Sequence, residues 1–255
     1  EHRFGVENKE RVFQYNAGVN FLSLSATPIP RSMQLSLSGV RNFSIIQTPP
    51  IARKPIISSL NYFSENLIKS IVLKETSRGG QVFFVDNSVN NLKKLFKVFS
   101  RLLPFLNMGI VYGSLEGRAL ISAMDLFVGG KTQVLFSTSI IESGIDIGST
   151  NTIIINNAHL FGLSQLYQLR GRVGRSATQA FAWFLFSKKQ NLTKEGLSRL
   201  KTIIKHSALG SGYQVALSDL EIRGAGSLFG YNQSGGVSVG FEYYSKLLSL
   251  AANKQ

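Results

Sequence analysis

The stretch from Gln165 to Arg175 holds the residues best suited to chemistry: Arg170, Arg172 and Arg175 stand close together with Gly171 and Gly174. Arg172 and Arg175 are three apart, so a helical turn would point both guanidiniums the same way. A fork of planar donors grips phosphate oxygens in a manner lysine cannot imitate. The chemistry this suggests is an arginine finger reaching a nucleoside triphosphate held on another lobe, where it would neutralise developing charge. The plainer alternative is a solvated basic turn.

Two earlier segments offer further polar groups at strand ends. Val134 to Phe136 reads as an apolar strand, and Ser137, Thr138 and Ser139 come directly after it, placed to donate to phosphate oxygens. Gly144 then permits a turn or a close backbone approach, and Asp146 offers a carboxylate to a sugar hydroxyl or a lysine. Further back, a strand ending at Leu24 runs into Ser25, Ala26 and Thr27, with Pro28 and Pro30 opening the next element.

Taken in order, these segments resemble motifs of superfamily 2 helicases. Ser25 to Arg31 is similar to motif III, Thr138 to Ile147 to motif V, and Gln168 to Arg175 to motif VI. Within that superfamily the chain resembles the RecG-like motor of bacterial transcription-repair coupling factors over nearly all 255 residues. Arg223-Gly224-Ala225-Gly226 favours them over RecG-type chains, which tend to have proline at the third place. Glu1 and His2 resemble the second half of an acidic motif II box whose first two acids are absent.

The resemblance implies roles residue by residue. Arg172 and Arg175 would be catalytic, and Gly144, Asp146 and Gln168 would meet the nucleotide. Ser25, Ala26, Thr27 and His2 would couple phosphate state to lobe position. Thr138, Ser139, Arg223 and Gln233 would serve DNA binding and translocation. ATP and Mg2+ would be held mainly by a lobe outside the chain, and double-stranded DNA would be the direct partner. RNA polymerase and excision-repair proteins would be met through other domains. A RecG-like remodeller of branched DNA and a stand-alone, non-catalytic DNA-binding module are the alternatives. The chain departs from the family near Asn156-Asn157 and at His159, where an acidic residue is usual, and at Tyr112-Gly113, where the family often shows His-Gly.

Gly129-Gly130-Lys131-Thr132 mimics the end of a phosphate loop. Position 125 is aspartate, however, and the run precedes a strand, whereas a phosphate loop comes after a strand and opens a helix. The chain alone is therefore expected to be inactive as an ATPase.

Composition is consistent with a polyanionic partner: Lys and Arg number 28 against 14 acids, a formal charge of +14. With no cysteine there is neither a disulfide framework nor a thiolate zinc site, which fits a reducing cytoplasm. No apolar run is long enough for a membrane span and no signal peptide is visible. Three histidines without metal-ligand spacing argue against a metal centre.

The elements that must carry these groups alternate. Strands are predicted at Gln81 to Val85, Met108 to Tyr112, Val134 to Phe136, Thr152 to Ile155 and Ala180 to Phe186. Leu92, Leu95, Phe96, Phe99 and Leu103 recur at helical spacing, with Lys93, Lys94, Lys97 and Arg101 as a solvated face. A second helix is predicted around Glu116 to Phe127. Such alternation predicts an α/β fold: a RecA-like parallel sheet with helices on both faces, of the P-loop NTPase-type helicase lobe 2 kind. Ligands of such sheets gather beyond the carboxyl ends of the strands, where motifs V and VI are expected. Residues 1–47 read as the end of a preceding lobe and 48–55, with Pro49, Pro50 and Pro55, as a stiff linker. Residues 56–190 read as the lobe itself, and 191–255 as a C-terminal helical hairpin and loop resembling a translocation motif.

Overall fold

The computed structural model describes residues 22, 24–27, 44–46, 48, 53–143, 148–187 and 192–223. The chain divides into two compact units, Gln47–Ser211 on the one hand and Glu1–Ile46 with Gly212–Gln255 on the other.

The larger unit is built on six parallel strands: β1 (Ile57–Tyr62), β2 (Gln81–Val85), β3 (Met108–Val111), β4 (Val134–Ser137), β5 (Thr150–Ile155) and β6 (Phe181–Phe186). Their spatial order is β1-β6-β5-β2-β4-β3. The central β2 and β5 are buried at every position, and their apolar runs Val82–Val85 and Ile153–Ile155 are what strands covered on both faces require. The connecting helices are α1 (Glu65–Ser77), α2 (Val89–Leu102), α3 (Gly117–Val128) and α4 (Leu163–Arg170), with α5 (Lys194–Lys205) after the last strand.

Chain order and right-handed crossovers distribute the helices. The chain moves one way across the sheet through α1 and α2, then back through α3 and α4, so the pairs cover opposite faces. On one face Ile68, Val72, Leu92 and Phe99 meet Val82, Phe84, Phe136 and Ile154. Phe84 lies 4.8 Å from Phe136, and Phe96 meets Phe136 edge-on at 5.6 Å. On the other face Phe83 packs on Phe127 of α3 at 5.0 Å.

Local chemistry fixes the helix starts. Ser88 begins α2 by accepting from the Asn91 amide at 3.3 Å, and Thr193 begins α5 by accepting from Gly196 at 3.0 Å. The phosphate-loop mimic ends a helix, as its place before β4 predicts. Gly129 caps α3, Gly130 adopts φ +75°, and the amides of Lys131 and Thr132 return to the Leu126 carbonyl. Lys93, Lys94, Lys97 and Arg101 lie exposed along α2, and the Lys93 ammonium sits 4.5 Å from the Tyr112 ring centre.

In the smaller unit the described residues include α6 (Gly212–Arg223), with Val215, Ala216 and Asp219 buried. No helix among the described residues is long and apolar enough to cross a membrane.

Candidate functional site

Helix α4 carries the first residues of the arginine turn and ends at Arg170. It starts at Gly162, whose amide donates to the Gln165 side chain at 3.2 Å, and is held down by the buried Leu163, Leu166 and Leu169. Gln168 is buried on it. Beyond Gly171 the Arg172 amide still bonds back to the Leu169 carbonyl at 3.0 Å, but the helix does not run on to Arg175. Val173 is fully buried and Gly174 turns the chain at φ +71°. A side chain at Gly174 would come within 2.9 Å of Ala180 Cβ and 3.2 Å of Ile56 Cγ1. The single helical turn expected for Arg172 and Arg175 is thus replaced by a glycine-broken turn. Arg172 is half-buried and Arg175 exposed.

This turn lies at the amino ends of the strands, which corrects the expectation that motifs V and VI both sit beyond the carboxyl ends. The Gly174 carbonyl accepts from Arg53 Nε at 3.2 Å, just before β1. Ser176 Oγ donates to Asn151 Oδ1 at the start of β5, at 3.2 Å, and Gln179 Nε2 donates to the Pro55 carbonyl. The reason is the crossover itself. A helix joining parallel strands must bring the chain back, so the segment after α4 returns to the end of the sheet where β6 begins.

Thr138 and Ser139 occupy the other end. The Thr138 amide donates to the Val111 carbonyl at 3.3 Å, beyond the carboxyl ends of β3 and β4, and Ser139 opens a short 3-10 helix, Ser139–Ser143. Both residues are half-buried. A six-residue strand spans about 20 Å, so the fold sets the hydroxyls and the arginines roughly one strand length apart.

Ser25, Ala26 and Thr27 belong to the smaller unit. Ser25 Oγ donates to the Thr27 carbonyl at 2.7 Å and accepts from the Thr27 amide at 3.2 Å, a tight polar turn with Thr27 buried and the other two exposed. Arg223 ends α6. His2, Gly144, Asp146 and Gln233 lie outside the described residues.

The third arginine of the run has no role assigned by the sequence pattern. Arg170 is buried, donates from Nη1 to the Ile203 carbonyl at 2.8 Å, and places its guanidinium 4.9 Å from the Tyr167 ring centre. Desolvation holds its pKa below the usual arginine value, against the opposing pull of Tyr167. His206, which caps α5, is likewise held below the ordinary histidine range, first by burial and then by Lys205 and Arg170. Only the alternation of Leu166, Leu169 and Arg170 on one short helix hinted that this arginine faces inward.

Comparison with known proteins supports the helicase-type fold. The helicase conserved C-terminal domain matches residues 64–177. A transcription-repair-coupling factor from Borreliella burgdorferi is 44% identical over 100% of this chain and 23% of its own length. Its counterpart from Escherichia coli K12 is 43% identical over 99% of this chain and 22% of its own length. The chain therefore spans a quarter or less of the length of these curated relatives. Among solved structures, RecG bound to a three-way DNA junction superposes with TM-score 0.69 and 31% identity, covering 98% of this chain and 32% of that one. The chain thus carries a helicase conserved C-terminal domain at residues 64–177 and is similar along its whole length to transcription-repair-coupling factors.

Proposed function

We propose that the chain is part of an ATP-dependent translocase on double-stranded DNA that removes stalled RNA polymerase and couples transcription to nucleotide excision repair. The observation that carries this reading is the 43–44% identity to transcription-repair-coupling factors along the whole chain, from its first motif to its last.

The two ends of the sheet divide the work. At the amino end Arg172 and Arg175 meet the triphosphate and stabilise the charge that develops as its terminal phosphoryl departs. Gly144, Asp146 and Gln168 serve nucleotide binding, as the family resemblance implies. ATP with its Mg2+ supplies the phosphoryl group whose loss drives the lobes, and an exposed arginine beside a half-buried one suits such a polyanion. Among the described residues no group of three histidines or acids gathers that could hold a metal. The family resemblance assigns the magnesium ligands to the nucleotide and to a lobe outside the chain. At the carboxyl end Thr138 and Ser139 hold backbone phosphates without reading bases. Ser25, Ala26, Thr27 and His2 couple phosphate state to lobe position, and Arg223 and Gln233 belong to the element that pushes along the duplex. Residues 1–47 complete the preceding lobe, 48–55 join it to the lobe of 56–190, and 191–255 form the translocation segment. The intact protein works in the cytoplasm, and this chain alone does not hydrolyse ATP.

The likeness to RecG on a three-way junction supports a second reading, remodelling of branched DNA. Incubating the full-length protein with ATP and either a stalled transcription complex or a branched junction separates the two. Release of polymerase is the expected result. Junction remodelling without release would favour the second reading, and duplex binding indifferent to ATP would leave only a DNA-binding module.

A further inference from the structure

Asp86 comes directly after β2 at the carboxyl end of the sheet and is fully buried. Its Oδ1 accepts from the Ser88 amide at 2.8 Å. Its Oδ2 accepts from Asn91 Nδ2 at 2.6 Å, Asn156 Nδ2 at 2.7 Å and Asn157 Nδ2 at 3.3 Å. A buried carboxylate is tolerable only when it is richly hydrogen-bonded, and here three side-chain amides from two chain segments converge on it. Asn156 Oδ1 finds no partner among the described residues, so the orientation of that amide is set by its bond to Asp86.

The segments that the carboxylate joins give the cluster its meaning. The Asp86 amide donates to the Ser137 carbonyl at 3.1 Å, one residue before Thr138, and the Asn156 amide donates to Val85 at 2.8 Å. Asn157 sits at φ 48°, among the described residues the only one other than glycine with positive φ. Its carbonyl accepts from the Leu160 amide at 2.9 Å and starts the short 3-10 helix Ala158–Leu160, from which the chain passes through Phe161 and Gly162 into α4. Helix α4 thus follows the Asp86 cluster through the 3-10 helix at one end and delivers the arginine turn at the other.

We infer that Asp86 is a positioning residue: through Asn156 and Asn157 it fixes the start of α4 against the Thr138 strand end, and thereby the placement of Arg172 at the opposite edge. This rests on the proposed ATP-driven reading for its catalytic consequence, though not for its structural one. A misplacement of about 1 Å at a phosphate-contacting group costs on the order of 10²-fold in rate.

The test compares the full-length protein with its Asp86→Asn variant and with the swap Asp86→Asn plus Asn156→Asp, which returns the carboxylate from the adjacent strand. Amide exchange of Leu160 and Phe161 and DNA-stimulated ATP turnover are measured together. Asp86→Asn is expected to lose protection at those amides while β2 and β4 keep theirs. Its kcat should fall on the order of 10²-fold with KM for ATP unchanged, and the swap should recover most of both losses. Wild-type exchange and turnover in Asp86→Asn would overturn the inference. So would loss of protection across the whole sheet without rescue, which marks a merely structural role. Should the wild-type protein show no DNA-stimulated turnover, the proposed function falls, and the exchange of Leu160 and Phe161 still decides the role of Asp86.

Discussion

Arg170 Nη1 donates to the Ile203 carbonyl at 2.8 Å, tying the helix that precedes the arginine turn to the last turn of α5. The guanidinium suits this place because one edge reaches an otherwise orphaned helix-end carbonyl while its plane meets Tyr167. A hydrogen bond from a charged group contributes about 1.5–3 kcal/mol. Arg170→Met, which keeps bulk but not the donor, should lower stability by that order in urea unfolding. Arg170→Lys should fare no better, since it buries an ammonium without the planar contact. If Arg170→Met unfolded at the wild-type midpoint, the bond would carry no stability.

His206 gives this region a pH dependence of definite sign. Its folded pKa lies below the unfolded value of about 6.5, so between the two the unfolded chain binds more protons. Stability therefore rises with pH through that window, is fully present above about 6.5, and is lost as pH falls toward the folded pKa. Denaturant midpoints measured at successive pH values below 7 should decline in the wild type. They should decline less in His206→Gln, and equal slopes would remove His206 from the account.

Glu75 and Gly80 form a second buried relationship. The Glu75 carboxylate accepts from Thr152 Oγ1 at 2.5 Å and from Arg78 Nη2 at 2.5 Å, and it fills the space where a side chain at Gly80 would stand. Gly80→Ala should cost about 1–3 kcal/mol by overpacking. Glu75→Ala opens the same space, so the double variant should be less damaged than the two single losses predict. Strict additivity in a double-mutant cycle would show that the two sites do not share that space.

The sheet was readable in the sequence because β2, β4 and β5 each hold a short apolar run, Val82–Val85, Val134–Phe136 and Ile153–Ile155, and full burial is what such runs mean. The first strand escaped notice: β1 opens with exposed Ile57 and two serines and comes after prolines that read as linker, so its edge position leaves no apolar run to see. Helix α1 went with it, its pattern diluted by Lys69, Ser70, Lys74 and the buried Glu75. At the site, the types and spacing of Arg172 and Arg175 were legible, but not the end of the sheet they occupy. That depends on the return path of α4, a property of strand pairing between residues far apart in the chain, such as Ile57 with Phe181. The structural role of Arg170 was not legible, because the Ile203 carbonyl that meets it lies far along the chain.

The separation of hydroxyls and arginines to opposite ends of the sheet makes the last prediction reciprocal. Arg172→Ala and Arg175→Ala in the full-length protein should each reduce ATP turnover about 10³-fold with duplex affinity unchanged, because neither side chain lies at the carboxyl end. Thr138→Val with Ser139→Ala should weaken duplex binding by about 1 kcal/mol per lost bond, roughly fivefold each, with KM for ATP unaltered. Gly174→Ala tests whether the turn's shape matters apart from its charge. It keeps both arginines but forces a left-handed residue to carry a Cβ 2.9 Å from Ala180, a strain of about 1–2 kcal/mol. Turnover in Gly174→Ala should fall toward that of the arginine variants while duplex affinity stays at the wild-type value. Equal loss of duplex binding and turnover in all of these variants would mean that the two ends of the sheet do not act as separate sites.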